Sequence, residues 1–233
     1  MEIPFIRIQK PRSYKPLDSA LRQIAFYDWL ILTSVNGVDA MWERAGKCRV
    51  RKKQFQDVKI AAIGPATQKA LQKLGLKVDV VPKEYIAESV VRSLRNSVKG
   101  KRVLLVRAKV ARDVIPRQLR AAGARVDVIE AYETVVPESS RARLRSALKN
   151  PRRSPDVVTF TSSSTVRNFV ALLDSDRSSN KKKKVAAYLR TAKTASIGPV
   201  TSSTLRELGL PVNIEAREYT IPGLIHAIVD SVG

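Results

Sequence analysis

The chain has 233 residues, 44% of them hydrophobic, with 43 Lys and Arg against 21 Asp and Glu for a formal net charge of +22. That length holds one large α/β domain or two small ones, and the charge calls for an anionic partner or an unusually basic surface. A single cysteine, Cys48, excludes an intramolecular disulfide, and with one histidine, His226, it makes too poor a donor set for a structural zinc site.

In chain order, the opening segment Ile3 to Ile8 reads as an extended connector, and Leu17 to Leu21 as a helix. Apolar runs then predict strands at Trp29 to Thr33, Ile60 to Ile63, Val78 to Val81, Val103 to Val106 and Val126 to Ile129. Amphipathic stretches lie between them. The helix over Thr67 to Leu74 stops at Gly75, and the one over Ile115 to Ala122 stops at Gly123, as C-capping glycines do. A second connector, Ile129 to Val136, follows and could pair with the first as a two-stranded ribbon. Beyond it come a helix at Leu144 to Leu148, strands at Val157 to Thr161, Thr194 to Ile197 and Val212 to Ile214, and a helix over Leu224 to Val229. Strands alternating with helices argue for parallel sheets built from β-α-β units.

An internal repeat organises these elements. Asp28 to Val38 recurs as Asp156 to Val166, and Ile63-Gly64-Pro65-Ala66-Thr67 recurs as Ile197-Gly198-Pro199-Val200-Thr201. The latter offset is 134 residues, and it still holds at Glu84-Tyr85 against Glu218-Tyr219. Two homologous halves follow, with boundaries placed at 1–13 for the first connector, 14–128 for a contiguous α/β domain, 129–137 for the second connector and 138–233 for a second α/β domain. That second domain lacks a counterpart of Lys101 to Val128. If the halves are equivalent, a strand-helix-strand of about 30 residues is expected before Met1. Without it, Val157 to Thr161 should be an open sheet edge.

Three basic runs, Arg44 to Lys53, Arg141 to Arg153 and Lys181 to Lys184, contain no interleaved aromatics, so a stacking platform for single-stranded nucleic acid is not expected. The last run reads as a disordered surface loop. No stretch has the eighteen or so apolar residues of a membrane span, and the first ten residues lack signal-peptide or transit-peptide character, which makes the cytoplasm the simplest compartment.

In open parallel sheets, ligands bind beyond the carboxyl ends of the strands, where helix N-termini present unpaired amides. Both repeated motifs fall there. In each I-G-P-x-T turn the glycine, Gly64 or Gly198, should permit a tight turn, with Pro at the first helical position and Thr67 or Thr201 in the first turn. Ser34 and Ser162 close strands and suit N-caps. Each hydroxyl alone reads as a cap; duplication at matched positions points to function. A cleft between two such edges would suit carboxylates. Tyr132, in the second connector, is either a packing residue or a hydroxyl offered to substrate. His226 reads as a partly buried helix residue. Lys47 and Arg49 could lower the pKa of Cys48, but no nearby His would serve it as a base, so it is not expected to be a nucleophile. Walker A, G-x-G-x-x-G, H-E-x-x-H and nucleophile-elbow motifs are absent from the sequence, leaving cofactor-free catalysis in a cleft.

Tyr27 to Val38, both I-G-P-x-T turns, Gly100 to Arg107, Leu119 to Gly123, Val128 to Thr134 and Asp156 to Ser162 together resemble the uroporphyrinogen-III synthase family over essentially the whole chain. The resemblance implies two flavodoxin- or Rossmann-like domains joined by a two-stranded linker, with the active site between them. It also implies conversion of hydroxymethylbilane, a linear tetrapyrrole with eight carboxylates, into uroporphyrinogen III in heme biosynthesis, with loss of water and inversion of ring D through a spiro-pyrrolenine. The implied enzyme is a monomeric, cofactor-free and metal-free cytoplasmic hydro-lyase, supplied by hydroxymethylbilane synthase. By the same resemblance, Tyr132 matches the linker tyrosine proposed to assist departure of the hydroxyl. Ser34, Thr67, Ser162 and Thr201 match positions that contact substrate carboxylates, and Gly64, Gly198 and Arg107 join them as substrate-binding positions. Arg107 is followed by Ala108 where the family normally has Gly, and the family normally supplies the strand beside Val157 to Thr161 from a preceding segment. The alternative from another class is a non-catalytic basic synthase-like binding or regulatory protein. Its charge alone would give weak, salt-sensitive DNA binding, although no recognition helix supports more.

Overall fold

A computed structural model describes residues 3–150, 154–173, 185, 187–189 and 192–232. The basic run Lys181 to Lys184 and residues 151–153 of the run before it lie outside the described residues. The chain divides into two compact units, Ile8–Thr134 and Met1–Arg7 with Val135–Gly233.

The unit Ile8–Thr134 is built on a sheet whose strands are β1 (Arg7–Gln9), β2 (Trp29–Leu32), β3 (Lys59–Ala62), β4 (Arg102–Ala108) and β5 (Arg125–Val135), in the order β1-β5-β4-β2-β3. β2 runs parallel to both β3 and β4, and β4 parallel to β5. The apolar runs of β2 and β4 are continuous because both faces are covered. On one face Leu30, Leu32, Leu104 and Val106 pack with Leu17 and Leu21 of α1 (Lys15–Arg22), Val38 and Met41 of α2 (Val35–Lys47) and Leu71 of α3 (Pro65–Lys73). On the other, Trp29, Ile31, Val103 and Leu105 pack with Val90 and Leu94 of α4 (Ala87–Leu94) and Ile115 and Leu119 of α5 (Val114–Ala121). Gly75 and Gly123, past the ends of α3 and α5, have φ of +71° and +88°, the left-handed conformation that the cap requires. The two connectors meet as neighbours, β1 beside the long β5.

The second unit holds a parallel sheet β6-β7-β8, made of Val157–Phe160, Lys193–Ser196 and Ile214–Glu215. Its helices include α6 (Ser139–Lys149), α7 (Ser163–Leu173), α8 (Pro199–Glu207) and α9 (Ile221–Val232). Phe160 and Phe169 stack edge to face at 5.3 Å in its core, with Phe5 5.7 Å from Phe169. Among the described residues β6 pairs only with β7, whereas its repeat counterpart β2 is flanked on both sides.

Two predicted strands are shorter than their apolar runs. Val78 to Val81 makes a single bridge, Val80 to Ala61, and Val212 to Ile214 gives way to the two-residue β8. The repeat explains both: Asp79 Oδ2 accepts the Ile60 N–H at 2.8 Å, and Asn213 Oδ1 accepts the Thr194 N–H at 2.9 Å. In each half a side chain takes a ladder donor that a longer strand would have used.

His226 is exposed on α9, not partly buried as its apolar neighbours imply. The Cys48 thiol is pushed up, not down, by burial and by the Asp18 carboxylate beside it, which together outweigh its basic neighbours. Arg44, one of the cations near the thiol, forks onto Asp18 with bonds of 2.8 and 2.5 Å.

Candidate active site at the carboxyl edges of the sheets

In the unit Ile8–Thr134 the carboxyl ends of β2, β3 and β4 open on a cavity of about 330 Å³. Thr33, Ile63, Tyr85, Arg107 and Tyr132 are among its lining residues. Tyr132 reaches it through an irregularity in β5. Arg107 of β4 pairs with Glu130, but the next residue, Ala108, pairs with Tyr132, so Ala131 is an extra residue in the strand. Such a bulge changes which face the following side chain takes. Ala131 and Tyr132 both enter the core cluster shared with α2.

The bulge brings Tyr132 to Ser34, 98 positions away in sequence: the phenol donates to Ser34 Oγ at 2.9 Å. Ser34 is the N-cap of α2, in extended backbone, and its Oγ also accepts the Gly37 N–H at 3.1 Å. The capping and functional readings of Ser34 are therefore compatible. The hydroxyl oxygen satisfies the helix and accepts the phenol proton at the same time.

Arg107 presents a largely covered guanidinium. Nη2 donates to Asp113 Oδ1 at 2.7 Å and Nη1 to the Arg112 carbonyl at 3.1 Å, while Nε is buried without a partner. Arg112 forks onto Glu88 at 2.8 and 3.1 Å. Arg107 and Arg112 are thus partly neutralised and held in fixed orientation by their acidic partners.

Thr67 is the third residue of α3 and Thr201 the third of α8, and both are buried, at 3% and 4% exposure. Their helices begin with Pro, whose missing N–H costs nothing at that position. Neither helix has a side-chain N-cap bond; the Thr201 N–H donates to the Gly198 carbonyl at 3.1 Å, and the positive end of each helix dipole faces the turn. In the second unit Ser162 Oγ accepts the Thr165 N–H at 3.2 Å and lies 2.8 Å from Thr165 Oγ1 and 2.9 Å from Ser164 Oγ, a hydroxyl cluster at the start of α7.

The glycines of the two turns are not there for a turn conformation. Gly64 has φ −165° and Gly198 φ 164°, extended backbone that any residue adopts. At Gly198 the missing side chain makes room for an aromatic ring, and at Gly64 a Cβ would only touch one tightly. A Cβ on Gly64 would lie 3.3 Å from Tyr85 Cγ, and one on Gly198 would lie 2.7 Å from Tyr219 Cδ1. The sequence repeat contained both tyrosines, but nothing in spacing or composition assigned them a role.

Among the described residues no helix is long and apolar enough to cross a membrane, and no group of three or more His, Cys, Asp or Glu is placed to hold a metal ion. The family model described as uroporphyrinogen-III synthase HemD matches residues 1–226. The uroporphyrinogen-III synthase of Synechococcus elongatus is 39% identical over 98% of this chain and 84% of its own length. A putative uroporphyrinogen-III synthase of Methanothermobacter thermautotrophicus is 34% identical over 93% and 83%. Crystal structures of uroporphyrinogen III synthase from Thermus thermophilus and of uroporphyrinogen-III synthetase from Helicobacter pylori share the fold. They superpose with TM-scores of 0.66 and 0.62 at 18% identity, covering 100% and 97% of this chain and 88% and 90% of theirs. From its first strand to its last helix, this chain belongs to the uroporphyrinogen-III synthase family.

Proposed function

We propose that the chain closes hydroxymethylbilane to uroporphyrinogen III with Tyr132 as the proton donor to the departing hydroxyl. The observation that carries this reading is that Tyr132, which lines the cavity at the carboxyl edge, is hydrogen-bonded to Ser34. Loss of the hydroxyl breaks a C–O bond whose electrons leave with oxygen. The phenol proton turns that oxygen into water. Ser34, its Oγ anchored by the Gly37 N–H, can then rotate its own proton toward the phenolate. The proton that ring D loses when the macrocycle closes restores the phenol, so atoms and charge balance over one turnover.

The azafulvene left by this step is reactive by itself, and in free solution it closes without inversion. The protein's task is therefore to hold the terminal rings for spiro attack, an orientation effect more than an acid-base one. The groups proposed to hold carboxylates are, in the unit Ile8–Thr134, Arg107 and the first-turn groups around Thr67 beside Gly64, and, in the second unit, the first-turn groups around Thr201 beside Gly198 and the hydroxyl cluster of Ser162. A net charge of +22 raises the local concentration of an octacarboxylate before any of these contacts form.

The test is incubation with enzymatically generated hydroxymethylbilane, oxidation, and separation of the uroporphyrin isomers. Predominantly type III product is expected. Only the spontaneous type I isomer would refute the reading and leave a basic binding protein in its place.

A further inference from the structure

The chain carries 43 basic residues against 21 acidic ones, so there is one carboxylate for every two cations. At the carboxyl edge of the unit Ile8–Thr134 the pairing is complete all the same. Between the last turn of β4 and the start of α5 the cations are Arg107, Lys109 and Arg112, and each holds an acid: Asp113 at 2.7 Å, Glu133 at 2.9 Å and Glu88 at 2.8 Å. Arg107 and Arg112 line the cavity, and their acids adjoin it, Asp113 next in sequence to Arg112 and Glu88 next to the lining residue Ala87. Acids that stay on these arginines repel an octacarboxylate and occupy the donors that it needs.

Both acids are placed to give way. Asp113 meets Arg107 through one oxygen, and its side chain is 76% exposed while that of Arg107 is 11% exposed. Arg112 and Glu88 both stand open to water. Exposed pairs of this kind are held loosely, because water competes for both charges. The fork of Arg112 onto Glu88, with bonds of 2.8 and 3.1 Å, is the geometry that any carboxylate takes on a guanidinium, so one can replace another without moving the arginine. Arg107 Nη1 also donates to the Arg112 carbonyl at 3.1 Å, which ties the two arginines into one loop.

We propose that Glu88 and Asp113 are placeholder carboxylates: they hold Arg112 and Arg107 in binding geometry until carboxylates of the substrate displace them. The proposal rests on the reading of the chain as a synthase and deepens it, because it adds Arg112 to the carboxylate-binding residues and gives the cavity a charge requirement. A ligand must bring its own carboxylate to each arginine. A neutral ring leaves the internal pairs closed. Exchange of one carboxylate for another also keeps each guanidinium paired and oriented throughout, whereas an arginine without a partner has to be ordered at the moment of binding.

The test titrates the full chain with uroporphyrin III, a ring bearing eight carboxylates, and reads binding by porphyrin fluorescence. Glu88→Gln and Asp113→Asn keep the shape of each side chain and delete the competing charge. Each should lower Kd about 2- to 5-fold, the worth of an exposed ion pair. The effect of Glu88→Gln should vanish in an Arg112→Gln background, where no arginine remains to be released. If the acids serve only to orient the arginines, the same variants leave Kd unchanged or raise it, and the proposal is overturned. An equal fall in Kd for Asp57→Asn overturns it as well, since the exposed Asp57 precedes β3 at the opposite end of the sheet and reports general charge alone. So does a parent chain that does not bind the porphyrin. Because the titration involves no turnover, formation of only type I product by the parent refutes the synthase reading separately.

Discussion

Tyr132→Phe removes one oxygen from a residue that is 9% exposed and leaves its ring volume in place. The lost contact is the 2.9 Å bond to Ser34 Oγ, and Ser34 keeps the Gly37 N–H as a partner, so no buried group is stranded. The stability cost should accordingly be that of one ordinary hydrogen bond, about 1 kcal/mol. The catalytic cost should be larger. General acid catalysis is worth about 10²- to 10⁴-fold, and a hydroxyl that departs readily from a methylene attached to a pyrrole ring needs the lower end of that range. A fall in kcat of roughly 100-fold is expected, with KM changed little, because the phenol acts on the bond being broken and holds no substrate carboxylate. The assay is the initial rate of type III formation at saturating hydroxymethylbilane, with the spontaneous type I rate subtracted. A companion Ser34→Ala variant separates the roles. It loses the α2 cap, worth about 1 kcal/mol, and leaves Tyr132 without its acceptor, so it should lower both melting temperature and kcat. If Tyr132→Phe turns over at the parental rate, the donor role is wrong and the bond to Ser34 serves packing alone.

Thr67→Val and Thr201→Val each keep the shape of a buried side chain and delete a hydroxyl at a helix start. They are expected to raise KM several-fold, whereas unchanged KM with a lowered melting temperature would show both threonines to be packing residues. Cys48 should react with iodoacetamide at pH 8 more slowly than a free thiol, since burial and Asp18 both hold its pKa above the ordinary value and reduce the thiolate fraction. A rate at or above that of glutathione would contradict this. Amides of Val157–Phe160 should exchange faster than those of Trp29–Leu32, because β6 has one partner strand among the described residues and β2 has two. Equal protection at low protein concentration would mean that the β6 edge is covered, and protection rising with concentration would identify pairing between copies.

Much of the architecture was legible because hydrophobic runs and capping glycines act locally. The runs at Trp29, Ile60, Val103, Val126, Val157 and Thr194 became strands within a residue or two of their expected starts. The glycines ending α3 and α5 adopted the positive φ that their position requires. The two shortened strands were not legible, because what shortens them is a side chain folding back onto the neighbouring strand. Asp79 and Asn213 look like ordinary turn residues until their 134-residue offset is set beside the N–H groups of Ile60 and Thr194. The site divides in the same way. Ser34 could be assigned as a cap from its place before α2, but its second partner could not, since Tyr132 reaches it only through an extra residue in β5. Gly64 and Gly198 were assigned for the wrong physical reason. Glycine in a turn ordinarily implies a backbone conformation, whereas at Gly198 it leaves room for a ring 21 residues further on, and at Gly64 the equivalent ring lies close by. A repeat preserves contacts as well as elements. Two residue pairs that recur at one offset, Gly64 with Tyr85 and Gly198 with Tyr219, were therefore a statement about contact already present in the sequence. Reading it that way needs only the physical condition that a bulky residue and a missing side chain reappear together.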